Sequence, residues 1–231
     1  MEISGLQKLT LLDYPGELAC TIFTRGCNFT CPFCHNSSLV LLNEKRAGLI
    51  PTKEILDFLK NRRGKIDGVC ITGGEPLVQA DLKDFIKDVR SLGYKVKLDT
   101  NGYSPDKLKE LIDEDLLDYV AMDIKNSFSK YPETVGRKTI DIERIKRSID
   151  IIKNSGIDYE FRTTAIKEYL TVNDFREIAK VLKGTKRYFI QNFIDSGSVI
   201  KSGLHGFDKA TLLLFKSEVN SAGVECELRG V

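Results

Sequence analysis

The sequence predicts an α/β fold: a partial (β/α)6 barrel, with parallel strands inside and helices outside. Three observations predict it. Short apolar or β-branched runs alternate with amphipathic helical ones along most of the chain, the pattern of parallel βα units. Six main strands precede a short terminal one, and 231 residues fall short of the about 250 typical of a closed eight-fold barrel. Each of the six strands ends in polar or conformationally special residues, where parallel α/β folds place their sites. No internal repeat, low-complexity tract or linker interrupts the pattern, so residues 1–231 read as one domain.

In chain order, Lys8 to Leu12 reads as a short strand ended by the turn Asp13-Tyr14-Pro15-Gly16. Glu17 to Phe23 is apolar and β-branched enough for a buried strand. A cysteine-bearing loop follows and runs through Leu39 to Arg46. Thr52 is expected to cap a helix reaching about Lys60. Strands are predicted at Asp67–Thr72, Tyr94–Leu98, Asp118–Ile124, Ile157–Thr163 and Arg187–Gln191. Helices are predicted at Asp81–Leu92, Pro105–Ile112, Asp141–Asn154 and Val172–Leu182. Leu82, Phe85, Ile86 and Val89 give the first of these an apolar face, and Pro105 suits a helix start. A last helix spans Phe207–Ala222, with a strand from Val224 to Leu228. The long loop Asn192–Gly206 carries three Gly and three Ser, and loops of this length are often functional.

Composition narrows the function. Hydrophobic residues make up 42%, enough for a sizeable core, and the net charge of +2 gives no bulk attraction to nucleic acid. The basic run Lys60 to Lys65 reads as a solvated helix end. Met1 to Gly5 lacks the start of a signal peptide, and no apolar run is long enough to span a bilayer. A cytoplasmic protein with no nucleic-acid or membrane partner is expected. Clustered cysteines in that compartment mean metal or catalysis more often than disulfides.

Three of the six cysteines lie in Cys27-Asn28-Phe29-Thr30-Cys31-Pro32-Phe33-Cys34-His35-Asn36, spaced C-x3-C-x2-C. Thiolates this close repel unless a metal takes up their charge, and iron–sulfur clusters are held by such thiolates. Three ligands would leave one iron of a [4Fe–4S] cluster open to a substrate. A zinc site from Cys27, Cys31, Cys34 and His35 is the rival reading, although adjacent Cys34 and His35 converge poorly on one ion. Cys20 and Cys70 read as core residues, His205 as a surface residue, and Cys226 has no inferred partner.

The cysteine run resembles the signature of the radical S-adenosylmethionine (radical SAM) enzymes, C-x3-C-x-aromatic-C, with Phe33 in the aromatic slot. The resemblance implies a [4Fe–4S] cluster on Cys27, Cys31 and Cys34. Its fourth iron would bind the amino and carboxylate groups of S-adenosylmethionine, and an electron from it would release a 5′-deoxyadenosyl radical. The open partial barrel is the usual fold of that family. Gly73-Gly74-Glu75-Pro76 is similar to the family's GGEP motif. There the two glycines let backbone approach the ligand's amino group, and Glu75 fixes the loop. Asp99 and Asn101 lie where the family contacts the ribose; an Asn-Gly turn with an Asp cap is the plainer reading. Lys125 and Arg162 could meet the methionine carboxylate, while Asp123 and Lys125 could simply pair. Gln191 ends the last main strand and completes the cofactor-binding set. Asp99 and Asp123, if close, would suit a hard cation. His35 is expected to orient its loop by hydrogen bonding.

The opening Leu11-Leu12-Asp13-Tyr14-Pro15-Gly16, the Cys34-His35-Asn36 run, Ala121 to Lys125 and Phe161 to Thr164 look like activating enzymes of glycyl radical proteins. The likeness is greatest to activators of anaerobic ribonucleoside-triphosphate reductase. It implies abstraction of hydrogen from a glycine of a partner enzyme, with reduced ferredoxin or flavodoxin as electron donor. No second cysteine cluster is present, so the ferredoxin-like insert of some activators is absent. The 193–206 segment is expected to help hold the partner's loop. The rival functions are a radical SAM enzyme acting on a small molecule and a zinc-binding module without redox chemistry.

Overall fold

The computed structural model describes residues 1–41, 48–195 and 197–231. The far end of the expected cysteine loop, at Arg46, and Ser196 of the long loop lie outside the described residues. Eight strands form one sheet in sequence order. They are β1 (Ile3–Thr10), β2 (Ala19–Thr24), β3 (Gly68–Gly73), β4 (Lys95–Thr100), β5 (Tyr119–Asp123), β6 (Asp158–Ala165), β7 (Tyr188–Asn192) and β8 (Cys226–Arg229). β2 to β8 run parallel, and β1 alone is antiparallel, to β2. Between the parallel strands lie α1 (Thr52–Arg62), α2 (Leu82–Ser91), α3 (Pro105–Asp113), α4 (Ile142–Asn154), α5 (Val172–Val181) and α6 (Lys209–Ser221). This is the expected partial barrel.

Strand alternation divides the residues between two interiors. Ile22, Val69, Ile71, Val96, Leu98, Val120, Met122, Phe161 and Ile190 belong to the main core and are fully buried. The apolar faces of the helices cover them: Phe85, Ile86 and Val89 from α2, and Ile145, Ile149 and Ile152 from α4. The opposite parity holds a second, smaller cluster of Tyr14, Ala19, Tyr119 and Ala121. Tyr14 therefore does more than sit in a turn. Its ring packs edge-on against Tyr119 at 5.9 Å and plugs the start of the parallel strands. A Cβ on Gly68 would lie 2.9 Å from that ring, so the plug needs a glycine there.

Two boundaries differ instructively. β1 begins at Ile3 rather than Lys8, because Ile3 is fully buried and bridges Ile50 while the strand pairs along β2. Thr52 is the first residue of α1 and not its cap, a place Pro51 takes without any side-chain bond. The side-chain caps sit elsewhere: a Thr171/Asp174 capping box starts α5, and Asp208 accepts from the Thr211 N–H at α6.

Candidate functional site

At the open, C-terminal end of the strands lies a cavity of about 250 Å³. Cys27, Cys31 and Cys34 all line it, together with Phe33, His35, Gly73, Gly74, Glu75, Asp99, Asn101, Asp123, Lys125, Arg162 and Gln191. Every residue of the expected cluster-binding and cofactor-binding set thus lines one cavity, although the parts they play differ.

The cysteine loop is built by its anchors. Gly26, with φ +90°, turns the chain out of β2, and its N–H donates to the Leu39 carbonyl at 2.8 Å. The Thr30 N–H donates to the Val135 carbonyl at 3.0 Å. Phe29 packs on Tyr103 and Phe33 on Tyr169, so both aromatic side chains fix the loop from within. The other flank is held by the long loop after β7. The Lys201 N–H donates to the Pro32 carbonyl at 2.8 Å, and the Ser198 hydroxyl to the His35 carbonyl at 3.1 Å. The His35 ring stacks on Phe193 at 5.3 Å, and burial lowers its pKa. His35 therefore orients the loop through stacking and its carbonyl. The 193–206 segment, expected to hold a partner, grips the cysteine loop of its own chain first.

The donor set fits a cluster. Burial pushes the free thiol of Cys27 up to about 12 and that of Cys31 up to about 11. Loading iron must therefore release protons, as thiolate ligation does generally. The sulfur of Cys27 already faces two N–H donors, from Phe29 at 3.3 Å and the Asn101 amide at 3.8 Å. Among the described residues no three His, Cys, Asp or Glu side chains gather tightly enough for a single ion.

The two glycines of the GGEP motif serve the protein's own backbone before any ligand. A Cβ on Gly73 would lie 2.3 Å from the Thr24 nitrogen, and one on Gly74 would lie 2.0 Å from the Gly26 oxygen. The Gly74 and Glu75 N–H groups donate to the Thr24 and Gly26 carbonyls at 2.9 and 2.8 Å. Asn36 donates its amide to the Gly73 carbonyl at 3.1 Å, a contact the sequence did not reveal. Glu75 is buried and accepts from the Thr100 hydroxyl, the Asn101 N–H and the Leu77 N–H, at 2.7, 2.7 and 3.1 Å. Burial pushes its carboxyl up to about 7 against these bonds.

The charged residues answer to one another. Arg162 donates to Asp123 at 2.9 Å and to Asp99 at 3.2 Å. Lys125 pairs with Asp123 at 3.0 Å, and Lys97 with Asp99. Burial pushes both carboxyls up, but these cations outweigh it and hold them below the usual range. Each carboxylate has two cationic partners, and Arg162 bridges the pair expected to suit a hard cation. Beneath lies a layer the sequence reading missed. Lys97 is 1% exposed, and Glu160 accepts a bidentate pair from Arg229 at 2.9 and 2.8 Å. The signal was parity: Lys97 with Asp99, and Glu160 with Arg162, share strand faces two residues apart. Asn101 also departs from expectation, being engaged by protein at every polar atom of its side chain. By contrast Thr72, Thr164 and Gln191 line the cavity with no side-chain hydrogen bond among the described residues. His205 is exposed and pairs with Glu168 at 2.8 Å, while Cys20, Cys70 and Cys226 are buried away from the loop.

The chain is similar to known proteins in sequence and in fold. The profile of the Radical SAM superfamily matches residues 21–182. A protein of Methanocaldococcus jannaschii, provisionally named a glycyl-radical enzyme activating enzyme, is 36% identical over 196 residues, covering 83% of this chain and 79% of its own. The 7-carboxy-7-deazaguanine synthase of Thermoplasma acidophilum is 27% identical over 156 residues, 68% of this chain and 70% of its own. The crystal structure of a radical SAM methyltransferase from Sphaerobacter thermophilus superposes with a TM-score of 0.75 at 14% identity, over 96% of this chain and 68% of that one.

Proposed function

The chain belongs to the radical SAM superfamily, and from that premise we propose that it is an activating enzyme that removes one hydrogen atom from a backbone glycine of a partner enzyme. The partner is anaerobic ribonucleotide reductase, and reduced ferredoxin or flavodoxin is the electron donor. The observation that carries this reading is the 36% identity, over most of both chains, to the methanogen protein provisionally named as such an activator.

The family's [4Fe–4S] cluster and S-adenosylmethionine supply the hydrogen-abstracting 5′-deoxyadenosyl radical. The protein's part is to bind, orient and shield. Cys27, Cys31 and Cys34 hold the cluster. The Gly73–Glu75 backbone keeps the cysteine loop and the strand end in one frame. Thr72, Thr164 and Gln191 offer the uncommitted polar groups that meet the ligand. Lys125 and Arg162 give a positive wall opposite the thiolates, which favours the ligand's carboxylate, and Asp99 and Asp123 hold both cations in place. No general base is required, because a hydrogen atom and not a proton is removed.

The test is incubation of the reduced, iron-loaded protein with S-adenosylmethionine and anaerobic ribonucleotide reductase. A glycyl radical should appear on the reductase by electron paramagnetic resonance. S-adenosylmethionine consumed stoichiometrically with a small molecule, and with no protein partner, would overturn the activator reading.

A further inference from the structure

Asn101 directly follows β4, and the family resemblance places it with the ribose contacts. Its surroundings give it other work. The residue is 6% exposed. Its side-chain oxygen accepts from the Tyr103 N–H at 3.0 Å, which fixes which way the amide points. The NH2 group must then face the other side, where Asn28 Oδ1 accepts at 2.7 Å and the Cys27 sulfur lies at 3.8 Å. The Asn101 main chain is held as firmly, its N–H donating to Glu75 at 2.7 Å. Gly102 follows with φ +74°, its carbonyl accepting from the Ser148 hydroxyl at 2.6 Å. The side-chain amide is thus held between Tyr103 and Asn28, on a fixed main chain, with its nitrogen within hydrogen-bond distance of the Cys27 sulfur.

We propose that Asn101 is a positioning residue that sets the reduction potential of the cluster by donating a hydrogen bond to the Cys27 sulfur, with Asn28 holding the amide in that orientation. The proposal rests on the reading that Cys27 is a cluster ligand. Hydrogen bonds to cluster sulfurs are among the factors that set the potential. The reduced cluster carries one more negative charge than the oxidised one, so a donor at the sulfur stabilises it preferentially. Losing the donor makes the cluster harder to reduce. The Phe29 N–H, at 3.3 Å, does the same from the main chain and is untouched by substitutions at Asn101.

The test compares the intact iron-loaded protein with Asn101→Leu and Asn101→Asp. Iron content is measured first, which separates failure of the ligand assignment from failure of this proposal. At native iron content the midpoint potential should fall in both variants, further in Asp, which sets an acceptor against the sulfur. An unchanged potential in both would overturn the proposal. Should neither variant hold iron, the native protein decides. With asparagine labelled with ¹⁵N at the side-chain amide, pulsed electron paramagnetic resonance of the reduced cluster should detect an amide-nitrogen coupling. Absence of any such coupling would equally overturn it.

Discussion

At the scale of single residues, the site separates the proposed metal ligands from groups that hold other groups. Cys27, Cys31 and Cys34 have no neighbouring thiol to replace them, since Cys20, Cys70 and Cys226 are buried elsewhere. Cys31→Ala should therefore lose bound iron after reconstitution, while Cys226→Ala keeps it; full iron in the former would refute the ligand set. Arg162 is the opposite kind of residue. It bridges Asp99 and Asp123, and its removal leaves two largely buried carboxylates with one cation each. Breaking such a pair from one side costs on the order of 3 kcal/mol. Arg162→Met should lower the urea midpoint accordingly, besides weakening S-adenosylmethionine binding. A variant of parental stability would mean the network is not holding the strand ends. The cysteine spacing was legible because the chemistry of three thiolates is local in sequence. The part proposed for Asn101 was not, because it depends on an amide orientation fixed by the Tyr103 N–H and by Asn28, which is distant in sequence.

At the scale of elements, strand and helix positions could be read from hydrophobic period, since parallel strands and amphipathic helices differ in it. What could not be read was how loops lean on one another. Gly74 was legible as special, but the reason lies in the Gly26 carbonyl, which a Cβ would meet at 2.0 Å. Gly26 immediately precedes Cys27, so Gly74→Val should reduce iron loading as well as cofactor affinity; iron at the native level with lost affinity alone would argue that the glycine serves only the ligand. The 193–206 segment behaves likewise. It holds the cysteine loop through Lys201, Ser198 and the Phe193 ring. Shortening it should speed loss of iron under chelator, before any question of a partner arises. Retention at the parental rate would return the segment to a purely partner-facing role.

At the scale of the whole molecule, the barrel has an apolar shell and an ionic interior, and the two respond differently to pH. Asp99, Asp123 and Glu160 are each pushed up by burial but held low by Arg162, Lys97, Lys125 and Arg229. Their folded-state values lie below the unfolded ones, so their stabilisation is complete above about pH 5 and is lost progressively as pH falls from the unfolded carboxylate range through the lower folded values. Glu75 has the opposite sign. Burial raises it to about 7, so it favours the folded state most while protonated. Stability from this one group falls as pH rises from about 4.5 to 7, then levels off. His35, lowered by burial, changes in the other direction over part of that range, so comparison with a Glu75 variant is needed to isolate the carboxyl. Glu75→Gln cannot ionise, and it loses one acceptor from the tie between Thr100, Asn101 and Leu77. Its deficit in urea midpoint against the parent should be largest near pH 5 and shrink towards pH 8. The change is bounded at about 3 kcal/mol by 1.36 kcal/mol per pKa unit. Parallel curves across the range would show that Glu75 titrates alike in the folded and unfolded chain. The tie across β3 and β4 would then carry no proton-linked energy.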